Sequence, residues 1–201
     1  MTAITWTLSS FNALDARALY DALALRQRVF VVEQKCAYLD CDGKDIASLH
    51  LLGRAASGAL VAYARLLPPG ASFAEASIGR VVTDPAARRM GLGRPLVREA
   101  IARTRAAFPG AIRIGAQRYL ESFYAELGFV KASDEYDEDG IPHIEMLLAS
   151  AVYRVEDGKI AECWIQIDRA GLYAVESERA VMTHHSPCDA RLSVTGKVAP
   201  R

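Results

Sequence analysis

The sequence predicts an α+β fold, a central mixed and partly parallel β-sheet flanked by helices, with an extra β-hairpin near the C-terminal end. Three observations predict it. Short runs alternate apolar and polar residues, as at Ile4, Trp6 and Leu8, which is the period-two mark of strands with one buried face. Two longer stretches space their apolar residues three and four apart, as helices do. Strand and helix signals then follow one another in an order whose crossovers let some neighbouring strands run parallel.

Each element can be read in turn. A first strand covers about residues 3 to 9, and from Leu14 the stripe Leu14, Ala18, Ala22, Leu25 and Val29 makes one long helix, with Asp15 near its start. The segment EQKCAYLDCDGKDIAS is polar and turn-prone and reads as a loop. SLHLLGR and LVAYARLLP bracket a turn containing Gly58, and SIGRVVTD supplies the next strand. A second helix follows Gly93, with Leu92, Leu96, Val97, Ala100, Ile101 and Thr104 on one face and Pro95 confined to its first turn. AIRIGAQ is a strand, YLESFYAEL a short helix stopped at Gly128, and FVKASDEYDEDGIPHIEMLLA two strands around an Asp-Gly turn.

Composition narrows the function. The 201 residues suit a domain over residues 1–150 and an appendage over 151–201. Formal net charge is zero, so no global field draws the protein to nucleic acid or an anionic membrane. The first residues lack a basic leader and an apolar core, and no stretch reaches the roughly 20 apolar residues of a membrane span. The expected compartment is cytoplasmic. Cys36, Cys41, Cys163 and Cys188 form no CxxC pair and are expected to be reduced. With His50, His143, His184 and His185 they make no zinc spacing, so the metal expectation is none. Asp40-Cys41-Asp42-Gly43-Lys44-Asp45 faintly resembles a calcium loop, but Leu51 stands where a bidentate Glu is needed.

The chemistry is carried by VVTDPAARRMGLGRPLVREA, a strand, a turn rich in Arg and Gly, and a helix N-terminus. Backbone N–H groups and the positive helix end favour an anion there, and Gly91 and Gly93 keep the backbone clear of side chains. Arg88, Arg89 and Arg94 add positive charge. The stretch is neither a Walker loop nor a dinucleotide fingerprint. Taken alone it fits an anion site or a plain capping turn equally well.

The stretch resembles the acyl-CoA motif of the GNAT acetyltransferase superfamily, Arg/Gln-x-x-Gly-x-Gly/Ala, matched here by Arg88, Gly91 and Gly93. About thirty residues on, Phe123-Tyr124-Ala125-Glu126-Leu127-Gly128-Phe129 matches that family's FYxxxGF pattern. RQRVFVVEQ, YLDCDGKD, LVAYARLL, IGRVV and YDEDGIPHIEM are similar to its ElaA-like branch, over about residues 3 to 150. The resemblance implies a GNAT fold and an N-acetyltransferase that moves an acetyl or other acyl group from acetyl-CoA, its cosubstrate, to an amine on a small molecule or peptide. The other reading is a non-catalytic acyl-CoA-binding or regulatory module.

Carried over residue by residue, the resemblance implies phosphate contacts from Arg88, Arg89, Met90, Gly91, Leu92, Gly93 and Arg94. It implies backbone pairing with the pantetheine amides from Val81, Val82 and Thr83. Tyr124 stands where the family keeps the acid that protonates the departing thiolate. Gln117 stands where an Asn contacts the pantetheine arm, a departure that lengthens the side chain. A substrate ammonium must lose a proton before it attacks, and Glu33, His143 and Glu145 are the candidate bases. Asp134, Glu135, Asp137, Glu138 and Asp139 could attract a cationic amine.

After Ser150, VYRVEDGKIAECWIQIDRAGLY resembles the closing hairpin of SnoaL-like proteins, with Glu156-Asp157-Gly158 at its turn. One hairpin cannot enclose a substrate, so no cyclase or isomerase activity is carried over. Val152, Ile160, Trp164 and Ile165 are expected to cover the acyltransferase domain or a second copy of the chain in a homodimer. A loosely ordered polar tail is expected after Glu176.

Overall fold

The computed structural model describes the backbone of residues 3–156, 159–168 and 171–175, and the side chains of residues 3–149 apart from Arg89. The chain divides into two compact units, Met1–Leu148 and Ala149–Arg201.

The first unit is built on one eight-stranded sheet. Strands β1 (Thr5–Ser10), β2 (Leu49–Arg54), β3 (Leu60–Leu67) and β4 (Ala76–Thr83) follow in order, and then come β5 (Ile112–Gln117), β8 (Ile141–Leu148) and β6 (Val130–Lys131). β7 (Tyr136–Glu138) pairs with β8. Among the described strands, only β4 and β5 run parallel. The expected pair of strands after Phe129 is thus three, because β6 and β7 are short, separate segments that both pair with β8. Asp139 (φ 55) and Gly140 (φ 78) form the β7–β8 turn with both central residues at positive φ, as the Asp-Gly pair predicts.

Helix α1 (Ala16–Arg26) is capped by Asp15, whose carboxylate accepts a bond from the Ala18 amide at 2.6 Å. The sequence predicts one helix as far as Val29. The chain instead loosens after Arg26 into a π-helical stretch, Gln27–Glu33. That wider turn still buries Val29 and brings Glu33 to the helix end. Ala22, Leu25 and Val29 pack on Leu52, Tyr63 and Val82 on one face of the sheet.

Helix α2 (Gly93–Ala107) covers the other face. Leu96, Val97 and Ala100 meet Leu51, Ala62, Ala64, Leu66, Ile78, Ile112 and Ile114 there. This second cluster is the larger core. Helix α3 (Glu121–Ala125) is a single short turn that adds Tyr124, and Gly128 ends the segment at φ 94.

Strand β4 changes face part-way along. Ile78 belongs to the α2 core and Val82 to the α1 core, although residues four apart on a regular strand share a face. The ladder explains the switch. Tyr63 pairs with Val82 and Arg65 with Gly79, so two steps on β3 span three on β4. The extra residue is a β-bulge around Arg80, whose φ is 50. On its other edge β4 pairs with β5 only at Ala76–Ile112 and Ser77–Arg113. Beyond those two pairs the strands leave an opening in the sheet.

The second unit holds β9 (Ser150–Glu156), β10 (Lys159–Asp168) and β11 (Gly171–Val175) in an antiparallel sheet of order β11-β10-β9. The expected hairpin is therefore extended by a third strand. Asp157, Gly158, the side chains of Val152, Ile160, Trp164 and Ile165, the polar tail after Glu176, and the thiols of Cys163 and Cys188 lie outside the described residues.

Candidate functional site

Where β4 and β5 part, a cleft of about 1000 Å³ opens. The faces of the strands decide what lines it. On β5, Ile112, Ile114 and Ala116 point into the α2 core, so Arg113, Gly115 and Gln117 face the opposite way. On β8, Ile144 and Met146 are in that core, which turns His143 and Glu145 outward beside their cross-strand partners Gln117 and Gly115. Gln117, His143 and Glu145 all reach the cleft wall.

The candidate anion site is built from a 3-10 turn, Pro85–Met90, and the start of α2. Asp84 caps the turn by accepting from the Ala86 amide at 2.8 Å, and Arg28 donates to Asp84 at 2.6 Å. Gly91 adopts φ 69, a left-handed conformation that glycine takes without strain. Leu92 precedes α2 with no side-chain cap, so the first amides of this helix are left pointing past its end. The missing polar cap is visible in the sequence, since Leu stands where Ser, Thr or Asp would.

The structure brings most of the sequence-predicted residues to one place. Val81, Val82 and Thr83 line the cleft just past the bulge, and Arg88 and Gly93 line it at the α2 end. Gln117 donates to Oε1 of Gln34 at 3.4 Å. Leu92 turns into the interior at 5% exposed, while Met90 is exposed. Arg94 reaches over the Phe123 ring and pairs with Glu126. The side chain of Arg89 lies outside the described residues.

Arg88 and Glu33 meet. Two guanidinium nitrogens of Arg88 donate to the two Glu33 oxygens at 2.5 and 2.9 Å. The bond to Glu33 holds the Arg88 pKa above its ordinary value. His143 donates from Nδ1 to the Ile141 carbonyl at 2.8 Å. A carbonyl can only accept, so in the neutral ring the lone pair sits on Nε2. Arg113 donates to Glu145 at 2.9 Å and grips Glu75 at 2.9 and 3.0 Å.

Tyr124 is 8% exposed and lines the cleft between the edge-on rings of Phe123 and Phe129. Burial pushes its phenol up to about 12. It therefore holds its proton at neutral pH.

Two features escape sequence reasoning. Tyr136 stacks on His143 with ring centroids 6.0 Å apart, and its hydroxyl lies 3.1 Å from where a Cβ on Gly115 would stand. A glycine inside AIRIGAQ is a weak signal of such close approach. Burial, with the fields of Glu138 and Glu145, pushes the Tyr136 phenol up to about 12.

The second feature is an ion network under the loop of residues 34–48. Asp40 takes Arg26 at 2.8 Å and Arg80 at 2.7 Å. Arg65 holds Asp42 through two nitrogens at 2.6 and 2.7 Å, and Asp45 accepts from Arg26 at 2.8 Å and Arg65 at 3.0 Å. The aspartates that resemble a cation loop are thus satisfied by three arginines from distant parts of the chain.

Comparison with known proteins identifies the family. Residues 31–150 match the model of the acetyltransferase (GNAT) domain. A UPF0039 protein of Synechocystis is 48% identical over 145 residues, covering 72% of this chain and 94% of that protein. The crystal structure of an acyl-CoA N-acyltransferase from Pseudomonas aeruginosa has a TM-score of 0.69 at 39% identity, covering 72% of this chain and 99% of that one. That of Escherichia coli ElaA has a TM-score of 0.67 at 37% identity, with the same coverage. A shared domain model, this level of identity and the parted β4–β5 sheet all lead to one assignment: the chain belongs to the GNAT acetyltransferase superfamily, on its ElaA-like branch.

Proposed function

We propose that residues 1–150 form an N-acetyltransferase that moves an acetyl or other acyl group from acetyl-CoA directly to a primary amine of a small molecule or peptide, and that residues 151–201 are an appendage to it. The observation that carries this reading is the uncapped N-terminus of α2, which opens beside the parted β4–β5 edge onto the cleft that also holds Tyr124. The α2 amides, with Gly91 and Gly93 leaving the approach clear, suit a pyrophosphate. The free edge of β4 at Val81–Thr83 offers amide and carbonyl groups to a pantetheine arm, and Gln117 lies across the gap as a side-chain partner.

The chemistry needs no covalent enzyme intermediate, because a thiolate is already a tolerable leaving group. The amine nitrogen attacks the thioester carbon, the C–N bond forms, the C–S bond breaks, and the sulfur takes a proton. Holding both reactants in one cleft supplies proximity. Backbone N–H donors along β4 stabilise the oxyanion. Tyr124 gives its proton to the sulfur, a role supported by its place in the cleft wall beside Phe123. His143 takes the proton of the arriving ammonium at Nε2, supported by the fixed Nδ1–H bond to Ile141. Glu33 is less suited to that task, because Arg88 occupies both of its oxygens.

A thiol-release assay across a panel of primary amines tests the reading, alongside thermal shift with acetyl-CoA. Expected are stabilisation by acetyl-CoA and amine-dependent thiol release. Tyr124→Phe should lower kcat by about 10²-fold or more, within the range of general acid catalysis, with unfolding temperature little changed. Stabilisation without thiol release for any amine would favour a non-catalytic acyl-CoA-binding module.

A further inference from the structure

We infer that Arg80 is a positioning residue with two separable tasks. Its left-handed backbone makes the bulge that opens the cleft, and its guanidinium carries the loop of residues 34–48 that walls the acceptor side. The inference builds on the acyl-transfer reading above.

The backbone task follows from the ladder. A regular β4 would keep Ile78 and Val82 on one face and continue beside β5. The inserted residue instead sends Val82 into the α1 core and leaves Val81–Thr83 without a β5 partner. A non-glycine residue at φ 50 is strained and persists only where its surroundings hold it.

Those surroundings are the loop. Arg80 Nε donates to Oδ1 of Asp40 at 2.7 Å, and Nη2 lies 3.3 Å from both the Asp40 carbonyl and Oδ2 of Asp42. Its guanidinium covers the Tyr38 ring at 5.4 Å, and the Tyr38 hydroxyl donates to Asp40 at 3.1 Å. Asp40 is 4% exposed, and its second oxygen accepts from Arg26 at 2.8 Å. One aspartate therefore ties helix α1, the loop and the bulge together. Tyr38, Leu39 and Asp42 of that loop and Arg80 itself line the cleft. The strand edge assigned to the pantetheine arm and the loop that walls the cleft are thus held by the same side chain.

Glycine and alanine separate the two tasks. Arg80→Gly removes the guanidinium but keeps a residue at ease with positive φ, so the bulge stays while the loop is released. Arg80→Ala removes the guanidinium and keeps the Cβ penalty, so the bulge relaxes as well. The experiment combines calorimetric titration with acetyl-CoA, amide hydrogen exchange, and amine kinetics on wild type and both full-length variants. Exchange at residues 36–48 should speed up about tenfold or more in both, the scale of a lost charge-assisted hydrogen bond. Acetyl-CoA affinity should stay within about threefold of wild type in Arg80→Gly and fall about tenfold in Arg80→Ala, the scale of the strain. For an amine substrate of the wild type, Arg80→Gly should raise KM more than it lowers kcat, and added guanidinium should restore KM.

Unchanged loop exchange in Arg80→Gly overturns the clamp, and equal acetyl-CoA affinities in the two variants overturn the separate backbone task. Circular dichroism identifies a variant that does not fold, and Asp40→Asn then supplies the exchange comparison from the loop side. Absence of thiol release by the wild type with every amine would defeat the acyl-transfer reading while the exchange and titration still decide the role of Arg80.

Discussion

Glu33 and Arg88, 55 positions apart, close a two-point ion pair at 2.5 and 2.9 Å in the wall of the cleft. The first ends the π-helical stretch after α1 and the second stands in the turn before α2. Sequence reasoning gives them opposite duties, proton acceptor and phosphate contact. In the structure each occupies the charge of the other. A phosphate arriving at Arg88 must compete with a carboxylate already in place.

Removing that competition should favour the ligand. Glu33→Gln is expected to tighten acetyl-CoA binding by about two- to fivefold at low salt, the scale of an exposed ion pair, with the gain shrinking as ionic strength rises. Its kcat should stay within about threefold, whereas His143→Gln should lose about 10²-fold or more, as expected for a general base. Titration calorimetry at two salt concentrations and steady-state kinetics read both. A collapse of kcat in Glu33→Gln would return the base to Glu33.

This pair shows which parts of the site were legible. Patterns local in sequence transferred well: the Asp15 cap, the turn at Asp139-Gly140 and the glycines of RRMGLG sit where spacing predicts, and the YLESFYAEL helix is present but shorter, as Glu121–Ala125 after a 3-10 turn. What failed was long-range or conformational. IGRVVT reads as an unbroken strand because nothing in an arginine announces positive φ. The stripe from Leu14 to Val29 is periodic enough to hide the change from α to π after Arg26. Asp40, Asp42 and Asp45 look like cation ligands because their partners come from residues 26, 65 and 80, which only the folded sheet gathers.

Gly115 offers a steric test of the acceptor end. A Cβ there would stand 3.1 Å from the Tyr136 hydroxyl, tighter than ordinary van der Waals contact. Gly115→Ala should push Tyr136 off its stack on His143 and raise the KM for amines, leaving acetyl-CoA affinity within about twofold, since additivity holds for sites without shared contacts. Tyr136→Phe in the same background removes the atom in conflict and should recover part of the loss. An unchanged KM in Gly115→Ala would show that Tyr136 does not shape the acceptor end.

Acid should weaken this protein in two successive pH windows. His50 is buried between the Tyr63 hydroxyl at 2.8 Å and the Asp45 carbonyl at 3.0 Å. Burial lowers its pKa, so the unfolded chain binds a proton more readily. Its contribution is complete above the unfolded value of about 6.5 and fades as pH falls below it. Asp42 and Asp45 follow. Burial raises each, but the hydrogen bonds and fields of Arg65 on Asp42, and of Arg26 and Arg65 on Asp45, leave both below the ordinary carboxylate value. Their share is intact above an unfolded pKa of about 3.9 and is lost as pH drops through the lowered folded values. Arg26→Met leaves Asp40 and Asp45 buried without that partner and should cost about 3–5 kcal/mol at pH 7, the usual result of breaking a buried pair. That difference should shrink as pH falls through the lowered folded value of Asp45, because a protonated Asp45 no longer leaves a buried charge without its partner. Urea unfolding from pH 8 to pH 2 measures this directly, and a gap between wild type and variant that ignores pH would mean that the network stabilises by packing alone.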